Sequence, residues 1–490
     1  MPRQRGRWPP VTERKTVVSN ILWRLAERGG TQAVSFLVSL VLARLLTPED
    51  YGVVSLVTVF TAILTLFVDG GFSSALIQNQ ETDQTDYSTV FYFNLFVSVI
   101  LYGCMYMAAP WIAVFYAQPS LTNYIRVLSL SLVIGGANGV QQALVAKRME
   151  YRRFFYASLS GTLLSAMVGV VLALLGLGPW ALVAQRLIDQ AADAVILWFT
   201  VKWRPSFRFS FRRLKPLASY GGKMLGSSLL NSLVGNFTSL LIGKVYSPSE
   251  LAYYDKSQRV PMLLVSNLQT AVQSVLFPAM ARRQSEREEL RQMLRQSVMA
   301  SAYCIFPCMI GVASCARPLV RVLFTDRWIA LVPYLRLWCV VLLFYLLHTA
   351  NLQVIQAVGR SDIYLRQELL KQALSMAAVL AALPFGAFAV LGAMAAMCPV
   401  HFYINAKPNQ ELLGYGVWAQ LRDIAPIAGL NAALAIWLWL LSLLPLPDFA
   451  LLSVQTLAGI AFYLAGSAVL RIEIFKTILN WTRQTIQNRN

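Results

Sequence analysis

The chain has 490 residues, of which 57% are apolar and only 13% charged. A soluble protein of this length carries about a quarter charged residues, so the composition describes a membrane protein. The formal net charge of +19 would suit a nucleic-acid binder only if the basic residues gathered on a soluble domain, and none is visible, so nucleic acid is excluded as a partner. Six cysteines without paired Cys-x-x-Cys spacing and two histidines offer no zinc site.

In chain order, apolar runs long enough to cross about 30 Å of hydrocarbon fall at 21–46, 51–76, 88–116, 121–146, 154–176, 179–201, 217–246, 250–280, 297–324, 332–358, 364–384, 387–405, 418–443 and 448–470. The first is too long for a signal peptide and lacks a small-residue cleavage site, so it is expected to remain as a membrane helix. An even number of spans puts both termini on one side. Lys and Arg crowd the segments before residue 21 and at 147–153, 202–215 and 281–295, whereas the opposite loops hold essentially Arg327. Basic loops stay in the cytoplasm, so both termini are expected there, with anionic lipid headgroups as partners of the basic loops. The segment 202–216, KWRPSFRFSFRRLKP, interleaves cations with aromatics and reads as a linker lying on the membrane surface.

One pattern occurs twice. Residues 43–52 read ARLLTPEDYG and residues 243–252 read GKVYSPSELA. Thr47 and Ser247 are helix N-caps, Pro48 and Pro248 occupy the first helical position, and the acids that follow suit the positive end of a helix dipole. Each copy closes one helix and opens the next at an outward corner. Glycine pairs (Gly29-Gly30 and Gly221-Gly222) stand before both corners, so the corners mark two equivalent lobes related in parallel.

With these stretches, FVDGGFSSALIQ at 67–78, YYDKSQRVPMLLVSNLQTAVQSVLFPAMA at 253–281 and LHTANLQVIQAVGRSDIYLR at 347–366, the chain resembles the Wzx-type polysaccharide flippases, exporters of lipopolysaccharide or teichuronic acid units, within the multidrug/oligosaccharidyl-lipid/polysaccharide exporter superfamily. The resemblance implies an all-α polytopic membrane protein of about 14 transmembrane helices. Two six-helix lobes (1–201 and 217–405) would surround a central cavity, joined by the basic linker 202–216 and followed by an added helix pair and tail (406–490). It implies no enzyme activity, but alternating-access transfer of an undecaprenyl-diphosphate-linked oligosaccharide across a bacterial plasma membrane, with polysaccharide assembly proteins as further partners. A drug/cation antiporter and a peptidoglycan-precursor flippase share the plan and stay open. A membrane glycosyltransferase should show clustered acids in an exposed loop, and a polymerase a sizeable outward loop; neither feature is present.

Charges in hydrocarbon cost about 2.5–3.5 kcal/mol on insertion scales, so those that persist should be paired or face water. Arg28 and Asp69 lie level across the first corner and can pair. Arg186, Asp189 and Asp193 share one face of span six, and Asp189 lies near mid-depth, a candidate site for a coupling Na+ or H+; no other cofactor is expected. Arg28, Lys223 and Arg259 are candidates for the cargo diphosphate, which a guanidinium can bind through two oxygens. Asn94, Gln141, Asn231, Asn236 and Asn351 are amides placed to meet sugars or to bond neighbouring helices.

Overall fold

The computed structural model describes residues 29–78, 82–284 and 286–476, and every regular element among them is helical. The first corner shows why the chain turns where it does. Helix α1 ends at Leu45 and α2 (Pro48–Asp69) begins behind Thr47, whose hydroxyl accepts the Asp50 N–H while the Asp50 carboxylate accepts the Thr47 N–H. This reciprocal cap satisfies donors that a helix start leaves unpaired. At the second corner α9 (Phe211–Val245) gives way to α10 (Pro248–Arg282), and Ser247 Oγ accepts the Glu250 N–H. Both N-caps read from the sequence are in place.

Ten helices among the described residues are long and apolar enough to cross a membrane. They comprise α2 with the short α3 (Phe72–Gln78), α4 (Gln84–Phe115), α5 (Leu121–Leu128) continued by α6 (Leu130–Lys147), α7 (Tyr151–Leu174), α11 (Arg287–Ser314), α13 (Leu331–Leu343) continued by α14 (Tyr345–Ala357), α15 (Ser361–Ala382), α16 (Ala387–Leu413), α17 (Val417–Leu441) and α18 (Asp448–Val469). A short helix, α12 (Ala316–Phe324), lies between α11 and α13. The other four runs are helical where described. α1 is Gly29–Leu45, and α8 (Pro179–Thr200), α9 and α10 have 22, 35 and 35 residues, ample for 30 Å. Of these, α8 carries three charges, Arg186, Asp189 and Asp193, within its apolar run.

The chain divides into two compact units, residues 1–252 and 253–490. In the first, α7 and α8 form an antiparallel hairpin, α4 packs on α6, and α9 packs on α2 and α3. The linker departs from the sequence reading. Trp203 is buried between Tyr87 and Phe91 of α4, with its indole N–H donating to Gln84 Oε1 at 2.6 Å. Leu214 and Leu217 join the same core. Phe207, Phe209 and Phe211 remain on the outside with the segment's lysines and arginines. The segment is a strap docked on α3 and α4 with an aromatic fringe, because its tryptophan gains more from burial than from the surface. Its end also comes early: α9 starts at Phe211, so position 216/217 lies inside a helix.

In the second unit α11 packs on α13, α14 and α17, α15 on α16, and α17 on α18. Three buried amides join α14, α16 and α17: Asn351 Oδ1 accepts from Asn409 and from Gln420, each at 2.7 Å. α16 runs through Pro408 to Leu413 and stops at Gly414, whose φ of 68° suits glycine. The expected break at 405/406 therefore lies within this helix.

Candidate functional site

The polar interior of the first unit is built on α8. One turn separates Asp189 from Asp193, yet each is held by a different neighbour. Asp189 Oδ1 accepts the Thr162 hydroxyl of α7 at 3.1 Å. Asp193 Oδ2 accepts the amides of Asn138 and Gln142 on α6, at 3.0 and 3.1 Å. The hairpin can close this tightly because a Cβ at Gly161 would already stand 3.0 Å from the Asp189 carbonyl. Arg186 is exposed on the same helix and acts electrostatically on Asp189. Donors from two helices thus give both carboxylates hydrogen bonds in a place where charge is otherwise costly.

The other sequence candidates fall in different settings. Asn94 is buried where α4 meets α6, beside Gly136 and Gly139, and its Oδ1 has no partner among the described residues. Gln141 is buried and donates to the Trp203 carbonyl at 3.3 Å. Asn236 bonds back to the Ser232 carbonyl at 2.8 Å, and Asn351 belongs to the amide cluster above. Asp69 accepts from Ser73. Arg28 lies outside the described residues, as do the side chains of Lys223 and Asn231, although α9 passes through both positions. On α10, Arg259 is exposed whereas Lys256, one turn earlier, is buried and feels its charge.

α2 and α9 with the start of α10 close together at both ends. At one end Gly71, with φ of 72°, meets Gly221 so tightly that a Cβ would stand 2.5 Å from the Gly221 carbonyl oxygen. At the other, the two duplicated corners touch: Gly52 leaves no room for a Cβ against the Pro248 carbonyl. A pocket of about 560 Å³ lies beside the strap, lined by Gln78, Asp86, Ser210, Arg212 and Arg213 among others.

Residues 41–333, more than half of the chain, match the family model described as "Polysaccharide biosynthesis protein". The chain belongs to that family. Its relatives include the succinoglycan biosynthesis transport protein ExoT of Rhizobium meliloti, 27% identical over 67% of this chain and 66% of ExoT. The teichuronic acid biosynthesis protein TuaB of Bacillus subtilis is 27% identical over 62% of this chain and 63% of its own length. The chain thus spans just under two thirds of these two relatives. In fold it is similar to the lipid II flippase MurJ in its inward closed conformation, with TM-score 0.73 at 13% identity over 93% of this chain and 99% of that one. An inward-facing MATE family transporter of the MOP superfamily gives TM-score 0.60 at 18% identity, over 81% of this chain and 96% of that one.

In this member of the polysaccharide biosynthesis family, several site residues escape a reading of the sequence. Asn138, Gln142 and Thr162 hold the two aspartates but look like ordinary polar punctuation in their helices. The burial of Lys256 in place of Arg259 follows from helix phase, which no neighbouring pattern fixes. Among the described residues no group of His, Cys, Asp and Glu could hold a metal ion.

Proposed function

We propose that the protein is a flippase that moves a polyprenyl-diphosphate-linked polysaccharide repeat unit from the cytoplasmic to the outer leaflet of a bacterial plasma membrane. The observation that carries the reading is a pair of hydrogen-bonded carboxylates, Asp189 and Asp193, inside the membrane-length helix α8 of a member of a polysaccharide biosynthesis family. The likeness in fold to a lipid II flippase supports it. The exposed Arg259 on α10 would meet the diphosphate, whose two charges need partners away from bulk water. Alternating access between two lobes would supply the movement, and the α8 carboxylates would bind the coupling cation. Both termini would lie in the cytoplasm.

The same fold likeness favours a second cargo, a lipid-linked peptidoglycan precursor, which presents the same diphosphate on a different glycan. Purified protein in liposomes tests both. Lipid-linked oligosaccharide should become accessible in the far leaflet with its mass unchanged. Preference for lipid II would choose the second cargo, and a lengthened or cleaved glycan would overturn transport altogether.

A further inference from the structure

The chain's two histidines sit on different helices, 53 positions apart, yet their rings are neighbours. His348 of α14 and His401 of α16 have ring centroids 6.3 Å apart. His401 Nε2 shares a hydrogen bond with Ser375 Oγ of α15 at 3.1 Å. One turn back along α15, Lys371 is buried and its ammonium donates to Glu368 at 2.6 Å. The His348 ring stacks on Phe344, and its buried Nδ1 has no hydrogen-bond partner among the described residues.

Depth makes the cluster unusual. At 1.5 Å per residue, His348, Lys371 and His401 lie roughly 13, 15 and 18 Å from the helix ends on the side shared by the 358–360 turn, which is the middle of the hydrocarbon for helices that cross it. Four ionisable side chains have no structural need to meet there. An apolar filling would cost less, and ionisable groups at this depth mark ion or proton pathways. α11, which packs on α14 and α16, brings Tyr303, Cys304 and Cys308 in its run between Gln296 and Ser314, and Tyr364 lies near Glu368 on α15. α13 brings Tyr334, Cys339 and Arg336, whose guanidinium donates to the Ala313 carbonyl at the end of α11.

We infer that His348 and His401, with the Lys371–Glu368 pair, form a proton-binding site in the second unit, and that its occupancy is coupled to transport. The coupling half rests on the function proposed above; the binding half does not. The lysine and glutamate cancel each other, so the empty site is neutral. A proton arriving from water makes one N–H bond at an imidazole nitrogen and leaves two cations competing for one carboxylate. That state is tolerable only while water or a moved Glu368 can share the charge, so loading follows conformation. A sodium ion fits poorly, since hard cations take several oxygen ligands and here Glu368 and Ser375 supply the oxygens beside an ammonium.

Because there are two histidines only, protein carrying a non-histidine purification tag and 15N-histidine gives two ring systems by NMR, and no cargo is needed. Titrated between pH 4 and 9, the two rings should respond to each other. Replacing the opposing cation in Lys371→Met should strengthen proton binding about tenfold, one pH unit; Lys371→Gln, judged with it for monodisperse folding, should do the same. Rings that titrate as independent exposed imidazoles, that never take a proton in this range, or that ignore both substitutions would overturn the site. In liposomes, the double variant His348→Gln/His401→Gln should lose the response of flux to a pH gradient, and full retention would overturn the coupling. If the wild type moves no lipid-linked glycan at all, the flippase reading fails while the titration still decides the site.

Discussion

Asp189 and Asp193 are the residues on which ion coupling in the first unit would turn. Their partners donate hydrogen bonds that stand in for water around each carboxylate, and a bound cation can take the place of those donors. Asp189→Asn and Asp193→Asn keep the shape and remove the charge. Each should abolish the dependence of flux on an ion gradient at near-normal abundance, measured in liposomes; undiminished coupling in both would remove α8 from the mechanism. Arg259→Ala should abolish export in cells with protein level maintained, because the exposed guanidinium can be lost without leaving a buried hole. Loss of the protein itself would make Arg259 a structural residue. Gly52 carries a packing constraint of another kind. Gly52→Val would drive its side chain into the Pro248 carbonyl, and overpacking of this sort costs about 1–3 kcal/mol. The corner should open, seen as faster labelling of an introduced cysteine at Ser249; labelling no faster than in the parent would show that the corner yields without parting.

At the scale of elements, the strap from Val201 to Phe211 is held on α4 by pairings remote in sequence. Arg213 bonds Asp83 and Asp86 at the start of α4, at 2.5 and 3.4 Å. The Asp83 carboxyl is held below its usual range, first by the backbone N–H of Asp86 and then by Arg213. A carboxylate lowered on folding adds stability above its unfolded value, near 3.9, and loses it as the pH falls through the folded one. The strap should therefore stay docked at neutral pH and release below about pH 4, read as acid-protease cleavage near Phe207. Cleavage independent of pH in that range would contradict this clamp. The sequence shows both N-capped corners, since capping is local and needs only Thr47, Ser247 and the residues after them. It shows the spans for the same reason, hydropathy being local. The joins between α5 and α6 and between α13 and α14 are hidden because the helical run continues across them. The docking of Trp203 is hidden because Gln84, its acceptor, lies 119 positions away.

For the whole molecule, what was legible is the class and the placement of charge. Composition marks out α8, whose apolar run holds Arg186, Asp189 and Asp193 together, and charge kept in such a run is the physical sign of a polar path through a bilayer. What was not legible is partnership: which amide faces Asp193, or that His348 and His401 touch, depends on which helices become neighbours. The central claim is that the charged helices α8 and α10 carry a lipid-linked glycan across intact. It is tested most directly by time-resolved leaflet sampling of a lipid-linked oligosaccharide in liposomes holding the wild type, Arg259→Ala or Asp189→Asn, with product mass recorded at each point. The account predicts transfer at unchanged mass for the wild type, no transfer above protein-free liposomes for Arg259→Ala, and transfer indifferent to the ion gradient for Asp189→Asn. Equal, gradient-driven transfer by all three, or a change in mass, would contradict it.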